Sequence, residues 1–179
     1  MSPSPQMGNM PVFSADDALG ALGLVAFNYF QLAQAPTSHE WYTRRKPSWG
    51  PPAWAFGPAW FLLYAMTTLA GYYFIKMVPA DSWQLIAGFT LYTTHMAANK
   101  CWSIFFWNDT KNGPLAALLI LLLLMLPTAI AFLVIAALDG FYLFAVPVAL
   151  WAVYLAWLLY ALALNAYWVL KVPFVPKVK

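Results

Sequence analysis

The side chains of this chain that could do chemistry are aromatic. The stretch WGPPAWAFGPAW, residues 49–60, sets three tryptophans, three prolines and two glycines in twelve positions. Trp60 and Tyr64 lie four residues apart and so share one face of a helix. Gly57 falls on that face and would leave a notch for a ligand or a second helix. Trp54 stands six residues before Trp60, about 240° around at 3.6 residues per turn, and so packs or anchors elsewhere. Pro51 and Pro52 suit a helix start, where a missing N–H had no partner anyway. Pro58, further in, removes one backbone hydrogen bond. Such a stripe can stack on a flat apolar molecule, and it can equally serve helix packing and interface anchoring.

A second stripe carries polar groups. His95, Asn99, Trp102 and Phe106 recur at helical spacing, with Ser103 beside them. A polar side chain at membrane depth is costly unless it faces a partner or a cavity. Asn99 therefore marks either a ligand site or an interhelical hydrogen bond. His95 has no second histidine or carboxylate at metal-ligand spacing, so no metal site is expected. A single axial bond from His95 to a haem is the one metal chemistry left open. A third stripe runs through Tyr154, Trp157, Ala161 and Asn165 or Trp168, with room at Ala161 for a flat ligand or a close helix. Leu164, Tyr167 and Lys171 fit the short pattern proposed for cholesterol contact, which often matches by chance. No serine–histidine–acid set, phosphate loop or cysteine–histidine cluster is present, and carboxylates fall only near the ends of apolar runs. An enzyme made of these residues would work through aromatic side chains or a bound chromophore.

These stripes require helices in a membrane. The 179 residues are 63% hydrophobic and 8% charged, against roughly 25% charged in a soluble domain. Mean hydropathy is +0.67. The expected fold is an all-α integral membrane protein, a five-transmembrane-helix bundle in a single domain over 1–179. Its spans fall at about 14–35, 52–78, 82–107, 114–138 and 141–170, each near the 20 apolar residues that cross a bilayer. Ser82, after Pro79, is the expected N-cap of the third. The other links are short, which makes consecutive helices antiparallel neighbours. Only the loop 36–51 is long enough to fold over a surface. Cys101 is the single cysteine and cannot form an internal disulfide. No basic run interleaved with aromatics suggests nucleic acid. The opening MSPSPQMGNMPVF reads as neither a secretory signal nor a transit peptide.

Charge orients the bundle. One side holds Asp16, Asp17, Lys76, Asp81 and Asp139. The other holds Arg44, Arg45, Lys46, Lys111, Lys171, Lys177 and Lys179, with Lys100 snorkelling toward it. The positive-inside rule then puts the loop 36–51 and the C-terminus in the cytoplasm and the N-terminus outside. The sequon at Asn108–Thr110 falls on the cytoplasmic side and is expected to be unglycosylated.

Residues 40–64, EWYTRRKPSWGPPAWAFGPAWFLLY, resemble the signature of the TspO/MBR family, the tryptophan-rich sensory proteins and translocator proteins. LYTTHMAANKCWSIFF at 91–106 is similar to the family's third helix, and VYLAWLLYALALN at 153–165 to its fifth. The resemblance implies a five-helix bundle, often a homodimer, in a bacterial or mitochondrial outer membrane, with the first loop lidding a pocket. It implies a porphyrin or haem-type tetrapyrrole ligand such as protoporphyrin IX, with no cofactor required. It also implies a role in sensing or carrying porphyrin under stress, and sterol binding in animal members. Some bacterial members degrade protoporphyrin in light, which would make Trp60 and Trp157 the catalytic pair. Trp41, Tyr42, Trp49 and Pro51 map to the lid and pocket wall. Gly57, Tyr64, His95, Asn99, Trp102, Ser103 and Ala161 fall at pocket positions on the helices, and the sterol element maps to Leu164, Tyr167 and Lys171. Four departures stand out. The lid loop is one residue short, His95 replaces a common glutamine, the third helix is one residue short of the animal form, and Lys171 arrives one residue late. The last weakens the sterol implication more than the porphyrin one.

Overall fold

The computed structural model describes residues 22–26, 28–29, 40–107, 112–138 and 145–172. Among these the only regular structure is helical. Residues 22–26 and 28–29 are helical and lie within the expected first span. A short helix α1 (Glu40–Arg45) follows in the lid loop. A 3-10 turn at Ala53–Ala55, entered from the extended Pro52, leads into α2 (Phe56–Met77). Helix α3 (Trp83–Phe106) starts where the Ser82 Oγ accepts from the Leu85 N–H at 3.2 Å, the cap that the sequence predicts.

The fourth apolar run is not one regular helix. It divides into α4 (Gly113–Ile120), a π-helical segment (Leu121–Met125) and α5 (Leu126–Leu138). Pro127 explains the break, since it has no N–H to donate and its ring crowds the carbonyl one turn earlier. The last helix is α6 (Ala145–Lys171).

Helix α2 packs most extensively on α6, and α3 on α4 and α5. Gly88 lets α2 and α3 close up, because a Cβ there would collide with the buried Phe74 ring. The distribution of side chains is inverted relative to a soluble protein. Phe61, Leu62, Ile86, Leu123, Ile130 and Leu159 are exposed, while Thr67, Thr68, His95, Asn99 and Asn165 are buried. Apolar groups facing outward and polar groups pairing inward suit lipid as the solvent.

Two stretches, Gly113–Ala137 and Val148–Lys171, are long and apolar enough to cross a bilayer, with mean hydropathies of 3.0 and 1.8. Helices α2 and α3 have spanning length, at 22 and 24 residues. Their tyrosines, threonines, His95, Asn99 and Lys100 hold the mean hydropathy down. Length and apolarity together thus single out two spans among the described residues, which include little of the expected first span. The sequon and the charged residues Asp16, Asp17, Lys111, Asp139, Lys177 and Lys179 lie outside the described residues.

Candidate functional site

The site is built from three layers stacked between α2, α3 and α6. The deepest is a chain of hydrogen bonds whose direction follows from its last member. The backbone carbonyl of Met125, in the π segment, can only accept, so the His95 Nδ1 at 3.0 Å carries the ring proton. Nδ1 also lies 3.0 Å from the Thr128 hydroxyl. Nε2 must then accept, and Tyr154 donates its hydroxyl proton to it at 2.7 Å. Having given that proton, Tyr154 Oη accepts from Asn99 Nδ2 at 2.9 Å. This turns the Asn99 Oδ1 toward Tyr64, whose hydroxyl donates to it at 2.7 Å. All four side chains are buried, and none is left with an unpartnered polar atom. The axial haem bond that the sequence left open to His95 fails on this geometry, because both ring nitrogens are engaged within the bundle. Among the described residues, no group of three or more His, Cys, Asp or Glu side chains could hold a metal.

Above this layer stands a cluster of rings. Phe56, Trp60 and Tyr64 form one row along α2 at four-residue spacing. The Trp60 centroid lies 5.3 Å from Tyr64, 5.5 Å from Trp102 and 6.1 Å from Trp157. Phe56 lies 6.1 Å from Trp157 and 5.9 Å from Phe106, and Trp102 lies 4.5 Å from Phe106. These are contact distances for tilted and edge-to-face rings. The walls expected of a pocket are therefore packed on one another, and a flat ligand has to part them.

Two N–H groups at this level have no acceptor among the described residues. Trp157 Nε1 is buried and unpartnered. The Trp102 indole, which can only donate, gives its proton to Asn165 Oδ1 at 2.8 Å. That contact fixes the Asn165 amide, and its Nδ2 is buried without a partner. Native proteins leave few buried polar atoms unpaired, since each forfeits its hydration for nothing.

The lid forms the third layer. Tyr42, on α1, is fully buried and plugs the mouth of the bundle. Its ring meets Phe56 at 5.2 Å, Trp168 at 5.4 Å and Trp107 at 5.8 Å. Its hydroxyl donates to the Pro51 carbonyl at 2.7 Å. Burial pushes the Tyr42 phenol above its ordinary value, and the nearby Tyr160 adds to this. Lys46 Nζ donates to the Gly50 carbonyl at 2.9 Å, which ties the loop to itself. Trp168 Nε1 donates to the Arg45 carbonyl at 3.2 Å and fastens the lid to α6. Trp49 is half exposed and sits against Tyr160 and Tyr167 at 5.8 and 6.1 Å.

The structure thus brings Tyr42, Trp60, Tyr64, Asn99, Trp102 and Trp157 together, with Pro51 as an acceptor at the lid and the buried Ala161 on the α6 face. Ser103 is half-buried and contributes only its carbonyl, to the Trp107 N–H at 3.2 Å. Gly57 is exposed, with nothing within 4 Å of the place of a Cβ, so the expected notch faces away from the rings. The row runs through Phe56 instead, one residue earlier. Trp54 is exposed, on another face as the helical wheel predicts. Leu164 is in the core, Tyr167 lies under Trp49 and Lys171 is exposed, so the sterol pattern does not form one surface. The side chain of Trp41 lies outside the described residues. Sequence reasoning missed Phe56 and Trp107 as site residues. It placed Phe106, Tyr154 and the pair Asn165 or Trp168 on stripes without assigning them to the site.

The family model described as TspO/MBR family matches residues 18–170. The chain is 30% identical over 127 residues to the human translocator protein, covering 70% of each chain. It is 29% identical over 161 residues to the tryptophan-rich protein TspO of Chlorobaculum tepidum, covering 88% of this chain and 94% of that one. The TspO of Archaeoglobus fulgidus is 31% identical over 139 residues, 73% of this chain and 79% of its own length.

Proposed function

The chain belongs to the TspO/MBR family, and from that premise we propose that it binds a tetrapyrrole of the protoporphyrin IX type in the membrane. It serves there as a sensor or carrier in porphyrin and stress homeostasis. The observation that carries this reading is the ring cluster of Phe56, Trp60, Trp102, Phe106 and Trp157, with a buried, unpartnered Trp157 N–H beside it. A large flat macrocycle is the ligand that such walls suit, since it can replace ring-on-ring contacts with ring-on-macrocycle contacts. The Tyr42 plug is the part to withdraw, because it sits on the loop and not on a spanning helix. The positive loop 36–51 lies on the cytoplasmic face in this reading, of a bacterial or mitochondrial outer membrane, and the protein works as a homodimer.

The test is a titration of the purified protein with protoporphyrin IX in the dark and under illumination, following tryptophan fluorescence and porphyrin absorbance. Saturable quenching in the dark supports the reading, and its absence overturns it. A second reading rests on the contact of Trp60 with Trp157 at 6.1 Å. Two touching indoles against a bound pigment can exchange electrons with its excited state, and with dioxygen as the net oxidant light-dependent degradation becomes an extension of binding. If Trp60→Phe and Trp157→Phe bleach bound porphyrin at the parental rate, that reading fails. Sterol binding has weaker support, since Leu164 is in the core.

A further inference from the structure

We propose that Asn165 is a specificity-determining residue that receives a neutral oxygen at the edge of the ligand. The proposal rests on the tetrapyrrole reading and adds the chemistry of one contact. Asn165 is fully buried, and its amide has one orientation open to it. The Trp102 N–H claims Oδ1, so the NH2 group must point away from Trp102, and it meets no acceptor. A flipped amide would set two donors against each other. The free donor is therefore a consequence of the indole and not of how the amide was placed.

Its position is that of a ligand contact. Trp102 packs on Trp60 at 5.5 Å and on Phe106 at 4.5 Å, so the amide borders the ring cluster. Ala161, one turn earlier on α6, is buried and small. Trp168, three residues on, fastens the lid through the Arg45 carbonyl. The amide thus stands between the ring cluster and the closed lid, where the edge of an inserted macrocycle would come to rest.

The chemical class follows from the donor. The Asn165 amide is neutral. A carboxylate brought to it would lose its hydration, and one neutral N–H does not restore that loss. An ester, ketone, amide or lactam oxygen loses far less and satisfies the donor. Within the tetrapyrrole class, Asn165 therefore favours molecules with a neutral carbonyl oxygen at this edge over those whose only rim oxygens are carboxylates, and propionates are left to the lid cations.

Two porphyrins isolate the contact. Protoporphyrin IX dimethyl ester has neutral carbonyl oxygens, and etioporphyrin, an all-alkyl porphyrin, has none. Both are titrated into the full-length protein in detergent, following porphyrin absorbance. The wild type should bind the ester about tenfold more tightly, the worth of one buried hydrogen bond. Asn165→Leu removes the donor and should bring the ratio down several-fold toward one. Asn165→Ala should do the same. A wild-type ratio near one overturns the assignment. So does a variant that weakens both ligands by the same factor, which is what a purely structural amide would give. A wild type that binds neither porphyrin overturns the tetrapyrrole reading and this ligand class with it.

Discussion

Around His95, four buried side chains from α2, α3 and α6 hand one another hydrogen bonds until the chain ends on the Met125 carbonyl. Beside the ring cluster, Trp157 and Asn165 keep N–H groups that meet nothing. The two regions share residue types, burial and helices. They differ only in whether the hydrogen-bond account closes. A closed account holds a bundle together and has no atom left for a ligand. An open one is a cost that a ligand can remove. Asn99, the polar residue that the sequence singles out, belongs to the first kind, and Asn165 to the second.

The comparison breaks most directly at His95. His95→Leu takes the acceptor from the buried Tyr154 hydroxyl proton and one of the donors from the Met125 carbonyl, which keeps Thr128, and should cost about 1–3 kcal/mol of stability. Thermal unfolding in detergent measures it, and a melting temperature equal to wild type would mean that the network does not hold the bundle. Trp102→Phe should be smaller but should couple the two regions. It frees Asn165 Oδ1 and lets the amide rotate, so the ester preference should fall severalfold while porphyrin still stacks. Paired titrations with the ester and the alkyl porphyrin check this.

Smaller effects are expected at the lid. Tyr42→Phe removes the bond to the Pro51 carbonyl, worth about 1 kcal/mol, and should raise amide hydrogen exchange over 40–51. The pH dependence has a definite sign. The phenol lies above its ordinary value of 10.0 in the folded protein, so the lid contribution is full below about pH 10. It is lost as pH rises through the higher folded value. Exchange over the loop should stay flat from neutral pH to about pH 9 once the intrinsic chemistry is divided out. An opening transition near neutral pH would refute the assignment. The smallest effect belongs to Arg44→Ala/Arg45→Ala/Lys46→Ala. Loop cations that meet ligand propionates should give a two- to threefold loss for protoporphyrin IX at low salt, fading by about 0.5 M. A loss that salt does not change would count against them.

Much of this arrangement is legible in the sequence, because helical periodicity is a strong signal. The stripes Trp60/Tyr64, His95/Asn99/Trp102 and Trp157/Ala161 follow from spacing, and Ser82 caps where it should. Gly57 misleads for a geometric reason. Positions three and four residues before Trp60 both lie near its face, and only packing decides that Phe56 points inward and Gly57 outward. The π segment at Leu121–Met125 is hidden in a run of leucines, with Pro127 as its one sign. The difference between Asn99 and Asn165 is not in the sequence at all. It depends on which donor faces which acceptor across α3 and α6, and that is a property of the folded contacts.

The central claim is that the closed layer supports the bundle and the open one binds. It is tested by measuring the melting temperature and the affinity for protoporphyrin IX dimethyl ester, side by side, in Tyr154→Phe and Trp157→Phe. The prediction is a crossed result. Tyr154→Phe should lower the melting temperature and leave affinity within about twofold. Trp157→Phe should weaken binding about five- to tenfold, the loss of one hydrogen bond to a buried acceptor, with the smaller change in melting. If Tyr154→Phe is the variant that loses the ligand, or if Trp157→Phe binds as wild type does, the account is contradicted.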